Sequence, residues 1–218
     1  MKKLPRNSLP RLTLQSKIWI GDLVRMRYVL ALMPEGSNAC LDAGCGVQCL
    51  YKNIVEQKGY SWHGIDLKPS SFGILGDLRK LPFKKDYFQA ILCVDVLEHI
   101  REFKQALTEF WRVLIDNGIL ILHTPNLLQT PLLIEPVEPD DHVRRGFTPL
   151  QLRRALTQVG FVNQEFKYTF NWNEAIVWDY AYANLQRFPV DLDYLLNFSP
   201  DDFQPYGTLS IWQKKRLR

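Results

Sequence analysis

Cysteine is scarce in this sequence: four residues in 218, at positions 40, 45, 49 and 93, with none in the C-terminal half. That is no disulfide framework of the kind small secreted domains need, and the spacing is not that of a zinc module, so no metal is expected and a reducing compartment, the cytoplasm, is. Long apolar runs are also missing. None reaches membrane-spanning length, and residues 1–20 carry Lys2, Lys3, Arg6 and Arg11 without a continuous apolar stretch, so neither signal peptide nor membrane anchor is expected. Charge of one sign is in small excess: 27 Lys and Arg against 23 Asp and Glu give +4, and Lys214, Lys215, Arg216 and Arg218 alone account for it. The body is then neutral, the basic end reads as a solvated terminus, and a nucleic-acid partner is not expected. Internal repeats, low-complexity tracts and dividing linkers are absent too, which leaves one domain over 1–218.

What is present is an alternation. Short runs rich in Ile, Val and Leu, at Ala39–Ala43, Trp62–Asp66, Gly73–Asp77, Gln89–Asp95 and Ile119–His123, are separated by segments of helical period. This is how a parallel sheet with helices on both faces reads in sequence. Leu50, Ile54 and Val55 mark one helix, closed by Gly59. Phe103, Ala106, Leu107, Phe110, Val113 and Leu114 mark a second over Arg101–Leu114, which Asp116-Asn117-Gly118 turns into a strand. A third starts with Thr148 as N-cap and Pro149 in the first turn, buries Leu152, Ala155, Leu156 and Val159, and stops at Gly160. Strands at Phe161–Phe170 and Thr208–Gln213 complete the pattern. The fold expected is α/β, Rossmann-like and doubly wound, with a mostly parallel seven-stranded sheet and an antiparallel C-terminal strand. Residues 1–35 form a helical lead-in, and 171–207, with a helix near Asn173–Leu185, a substrate-covering insertion.

The first strand runs into Cys40-Leu41-Asp42-Ala43-Gly44-Cys45-Gly46. Glycines at that point let a ligand approach the backbone. The loop continues Val47-Gln48-Cys49, without the third glycine of a dinucleotide fingerprint, and the carboxylate of Asp42 would repel a pyrophosphate. An acidic residue there suits a ligand with an ammonium and a sulfonium, as in S-adenosylmethionine. Asp66, twenty residues beyond Gly46, ends the second strand, where a carboxylate can accept from both ribose hydroxyls. Asp77 ends the third, placed to accept from the adenine amine while Leu67 and Leu78 cover the ring faces.

The segments LDAGCG, GIDL, GDLRKLPFKKDYFQAILCVDVLEHI and the strand before HTPN together resemble the class I methyltransferases, especially their ubiquinone-biosynthesis-like branch, over roughly residues 20–165. The resemblance implies an S-adenosylmethionine-dependent enzyme with S-adenosylhomocysteine as product. It implies cofactor contacts from Asp42, Gly44, Cys45, Gly46, Asp66, Leu67, Asp77 and Leu78, with the strand end at Cys93, Val94 and Asp95 beneath the methionine. Two positions depart from the family pattern: Gln48 replaces a further glycine, admissible if it caps the next helix or points away, and Gln89 replaces an acidic residue.

Methyl transfer needs alignment and exclusion of water more than acid–base chemistry, but a hydroxyl acceptor would profit from a base. His99, after the fourth strand, and His142, in Asp140-Asp141-His142-Val143-Arg144, are the candidates. Arg144 and Arg145 read as a surface charge pair, and Tyr168, Phe170, Trp172, Trp178, Tyr180 and Tyr182 as core. The acceptor expected is an oxygen, nitrogen or carbon atom of a small metabolite, held by the loop 126–146 and by 171–207. RNA or protein methylation and a non-catalytic, cofactor-binding partner subunit stay open as alternatives. Nicotinamide chemistry is disfavoured by the glycine pattern, and base-amine methylation by Asp95-Val96-Leu97-Glu98 where an Asn/Asp-Pro-Pro-Tyr/Phe loop would stand.

Overall fold

The computed structural model describes residues 20–70, 72–129, 142–171, 173–175 and 204–215. Helix α1 (Ile20–Leu32) leads into β1 (Ala39–Ala43), α2 (Lys52–Gln57), β2 (Ser61–Asp66), β3 (Ile74–Leu75) and β4 (Phe88–Val94). A 3₁₀ turn at Leu97–His99 follows, then α3 (Phe103–Val113), β5 (Leu114–Pro125), α4 (Pro149–Val159), β6 (Phe161–Thr169) and β7 (Gly207–Lys214).

The seven strands lie in the order β3-β2-β1-β4-β5-β7-β6. The first five are parallel, and β7 inserts antiparallel between β5 and β6. This is the expected class. Period-two burial makes the sheet two-faced. Leu41, Ala43, Ile91, Cys93, Leu120 and Leu122 pack with Ala106, Leu107 and Phe110 of α3 and Leu152, Ala155 and Leu156 of α4. Their neighbours in sequence, Cys40, Ala90, Leu92 and Ile121, pack on the opposite side with Met26, Val29 and Leu30 of α1 and Ile54 and Val55 of α2.

Helix α4 forms as its sequence dictates. The Thr148 hydroxyl accepts from the Gln151 amide at 3.2 Å, the Gln151 side chain accepts from the Thr148 amide at 3.0 Å, and Gly160 ends the helix at φ 109°. Two expectations shift. Strand β3 shrinks to two exposed residues, as suits a sheet edge that must not recruit another strand. Strand β5 begins earlier than expected, Leu114 pairing with Phe88 before Asn117, at φ 62°, kinks the chain. Of the helix expected near Asn173–Leu185, residues 173–175 are described and are helical; the rest of it, and most of 171–207, lies outside the described residues. Trp172, Trp178, Tyr180 and Tyr182 lie outside as well; of the remaining two aromatics expected in the core, Phe170 is buried and Tyr168 is exposed.

The largest correction concerns the basic end. Lys214 is 1% exposed, not solvated. As the last residue of β7 it is carried inward, where its ammonium donates to Asp86 and to the Leu114 carbonyl, both at 2.6 Å, and sits 4.3 Å from the Trp111 ring centre. Of the other basic residues at this end, Lys215 is exposed, and Arg216 and Arg218 lie outside the described residues.

Candidate cofactor and acceptor sites

Strand order reverses between β1 and β4, and ligands of such sheets bind in the crevice outside the strand ends at that point. The β1 end supplies the glycine loop. Gly44 takes φ 83° with its amide donating to the Ile65 carbonyl at 2.8 Å, and a Cβ there would lie 2.3 Å from a Val96 methyl, so only glycine fits. Gly46 also has a positive φ, 63°, but a Cβ there would meet nothing within 4 Å. Gly44 is thus demanded by packing, whereas Gly46 borders open space.

Asp66 ties this loop to β2. One of its oxygens accepts from the Gly46 amide at 2.9 Å and the other from the Lys68 amide at 2.8 Å, each keeping a further lone pair for a hydroxyl donor. Asp42 is 2% exposed beneath the loop and accepts from the Trp62 indole at 3.0 Å. Burial above all, and then the charge of Asp66, push its carboxyl up to about 7 against the pull of that hydrogen bond. A cation arriving here would meet a carboxyl that neutral water does not ionise cleanly.

The remaining candidates along the cofactor side are spread differently. Leu67 is 68% exposed, whereas the Leu78 side chain packs into the α3/α4 core, so the two do not face a common space. Asp77 is occupied by Arg79, which forks onto both carboxylate oxygens and reaches on to Glu102 at 2.7 Å. Those hydrogen bonds hold Asp77 below the usual carboxylate range despite some burial. The Cys93 side chain lies in the core, and Val94 is half-buried against the α1/α2 side. Cys45 is buried 3.9 Å from the Cys49 sulfur, its thiol pushed up to about 12 by burial first and by Asp42 next. Gln48 is exposed, and the N-cap position of α2 is Tyr51, so it does not cap that helix. Gln89 accepts from the Ser37 and Asn38 amides at 3.2 and 3.0 Å, holding the entry to β1.

Beyond β4 the chain builds a polar cluster that local spacing did not announce. Asp95 (φ 50°) accepts from the His123 ring at 2.6 Å and pairs with Arg25 of α1, while the other His123 nitrogen meets the Thr169 hydroxyl at 2.8 Å. Burial works against the Asp95 charge, but Arg25 and His123 outweigh it and hold the carboxyl well below its usual range. Arg25 also lies over the Phe170 ring. Asp95 was placed at this strand end by the sequence; Arg25, His123 and Thr169 were not, since they come from α1, β5 and β6.

His99 and His142 do come together, with ring centres 4.2 Å apart. Arg144 makes that meeting possible. It is no surface charge: its guanidinium donates to the carbonyls of Leu97 and Ile100 at 2.7 Å and of Arg101 at 3.0 Å, and lies over the Phe103 and Phe147 rings. It satisfies the end of the 3₁₀ turn and binds the segment after His142 to it. Glu98, between Leu97 and His99, is completely buried. Residues 130–141 of the loop between lie outside the described set.

The fold is shared with solved Rossmann-like structures of methyltransferases. Residues 41–122 match the family model described as a methyltransferase domain. The chain is similar to an uncharacterised protein of Methanocaldococcus jannaschii, 35% identical over 92 residues that make up 39% of this chain and 40% of that protein. It is similar also to the norajmaline N-methyltransferase of Rauvolfia serpentina, 28% identical over 120 residues, 46% of this chain and 40% of that enzyme. The chain spans about two-fifths of the length of the curated relatives it matches. Among solved structures it is similar to a SAM-dependent methyltransferase from Archaeoglobus fulgidus, with a TM-score of 0.61, 18% identity, and coverage of 87% of this chain and 91% of that one.

Proposed function

We propose that this protein is an S-adenosylmethionine-dependent methyltransferase acting on an oxygen, nitrogen or carbon atom of a small metabolite. The observation that carries the reading is the loop at the strand-order switch, where Gly46 opens onto empty space while Asp66 holds its amide and keeps lone pairs to spare. The residues fit the cofactor. Asp66 would take the ribose hydroxyls, the buried Asp42 would answer the ammonium, and Arg25, already paired with Asp95, would receive the methionyl carboxylate. When bound, S-adenosylmethionine supplies an electrophilic methyl group on a sulfonium.

The protein's own task is then to orient the acceptor and exclude water. Asp95, held by Arg25 and His123, sets one wall of the space beyond β4. His99 and His142 line its rim, where they would orient an acceptor hydroxyl and take its proton. A metabolite acceptor is favoured over RNA by the charge distribution, because the excess is only +4 and Lys214, one of the basic residues at the C-terminal end, is buried against Asp86 rather than presented to a phosphate. Among the described residues no helix is long and apolar enough to cross a membrane, and all four cysteines are free thiols, which suits the cytoplasm.

Calorimetry with S-adenosylhomocysteine and, separately, NAD tests the reading. Binding of the first alone, weakened in Asp66→Ala by about 1.5–3 kcal/mol, is expected. Absence of binding by the folded wild-type chain would refute it.

A further inference from the structure

The 3₁₀ turn after β4 buries a carboxylate that nothing holds. Glu98 is 0% exposed, and neither side-chain oxygen has a hydrogen-bond partner among the described residues. Its backbone, by contrast, is anchored: the carbonyl accepts from the Val143 amide at 3.1 Å, beside the Arg144 clamp on Leu97 and Ile100. The anchor places His142 against His99, so that one ligating atom from each of Glu98, His99 and His142 lies within 4.8 Å of the other two.

A buried carboxylate without partners is strongly destabilising. Burial first, and Asp95 second, raise its proton affinity well above the ordinary carboxylate range, eased only in part by its own amide and by the charges of Arg25 and Arg144. Neither guanidinium hydrogen-bonds the Glu98 oxygens: Arg25 pairs with Asp95, and Arg144 donates to three carbonyls. A proton would cancel the charge and still leave the oxygens unpaired. A dication would satisfy both.

We propose that Glu98, His99 and His142 bind a divalent transition-metal ion of the zinc class, leaving a coordination position open. Two imidazoles and one carboxylate form the donor set of open metal sites, whereas magnesium and calcium ask for oxygen alone. Ligand atoms around a tetrahedral ion with ~2.0–2.2 Å bonds stand roughly 3.3–3.5 Å apart, so the set must close by up to about 1.5 Å, which side-chain rotation of the half-buried His99 and His142 would supply. Resting on the methyl-transfer reading, the open position would take an acceptor oxygen and ease loss of its proton, the ion then acting in place of the two imidazoles as bases. Ion binding itself does not depend on that reading.

The test titrates the chelator-stripped full chain with Co²⁺ and Zn²⁺, measuring metal content after dialysis and the cobalt absorption spectrum. One ion per chain is expected, with visible bands and no intense near-ultraviolet thiolate band, and affinity should fall at least about 100-fold in Glu98→Gln and in His142→Ala. His142→Ala removes a half-buried side chain, so it carries the test should the Glu98 variant not fold. A folded wild-type chain that takes up no ion overturns the proposal. So does uptake undiminished in a folded variant, or a thiolate band, which would move the ion to Cys45 and Cys49. S-adenosylhomocysteine titrated into the same stripped protein reports on the methyl-transfer reading separately, since its loss would leave the metal result standing.

Discussion

At the glycine end of the crevice Gly46 and Asp66 meet across twenty residues of chain, and Asp42 and Trp62 do the same beside them. At the far end Asp95 meets His123 across 28 residues, and His123 meets Thr169 across 46. The first set is one β-loop-α-β unit whose geometry is dictated locally; the second converges only once β5, β6 and α1 have assembled. Ligand binding at the glycine end should therefore respond to single local changes, while the far end should couple its chemistry to the stability of the whole sheet.

The largest effect is expected at the glycine end. Gly44→Val sets a Cβ against Val96 in a left-handed backbone, and S-adenosylhomocysteine affinity should fall more than about 100-fold, read by calorimetry. A variant that binds normally would break the claim that this loop is locally specified. Next comes the C-terminal edge. Lys214→Ala removes the donor to Asp86 and Leu114 and should cost about 2–4 kcal/mol in urea unfolding, below the full cost of orphaning a buried charge because Asp86 is partly exposed. Deleting 215–218 should cost nearly nothing. Equal losses in both would place the stabilising contact in the tail rather than in β7.

Asp42 gives a pH signature confined to the glycine end. Its folded value of about 7 stands above an unfolded ~3.9, so its contribution to stability is full below the unfolded value and is lost as pH rises toward 7. Thermal melts of the apo protein should weaken between about pH 5 and 7 by an amount equivalent to ~1–2 kcal/mol, and Asp42→Asn should flatten that slope. A bound ammonium reverses the preference, so cofactor-product affinity should rise over the same window with proton release. Identical calorimetric heats in buffers of different ionisation enthalpy would show that no proton leaves.

The same contrast governs what the sequence made legible. The alternation of core positions, the Thr148 cap with Gly160, and the glycine loop with Asp66 were readable because each is a pattern over a few residues or one β-α-β repeat. Lys214 was misread because a basic run at a chain end carries no mark of the Asp86 and Trp111 that receive it, contacts made across the sheet. Leu78 sits beside an acidic residue at a strand end, which says nothing about the face it takes. Arg25, His123 and Thr169 had no shared spacing to betray them. The buried Glu98 stood in plain view between Leu97 and His99, and only the Val143 and Arg144 contacts show why it is enclosed.

The smallest expected effect separates a strut from a relay at the far end. With Asp95 held as a carboxylate, the His123 Nδ1 hydrogen must point at it, which leaves Nε2 to accept from the Thr169 hydroxyl. Thr169→Val keeps the shape, removes that donor and leaves a buried nitrogen unsatisfied, for about 1 kcal/mol of stability. Affinity for S-adenosylhomocysteine should change little, because Thr169 reaches Arg25, the proposed partner of the methionyl carboxylate, only through His123 and Asp95. If the cluster only braces the sheet, turnover per folded molecule should match wild type at every pH once a substrate is in hand. If His123 tunes Asp95 toward the acceptor, the pH–rate profile should shift in Thr169→Val while the melting temperature moves by only a few degrees. The brace is the expected outcome, since His123 is 2% exposed and Thr169 not at all, and neither has a route to the acceptor except through Asp95. A shifted profile with unchanged cofactor affinity would overturn it and make Asp95 the residue through which the far end acts.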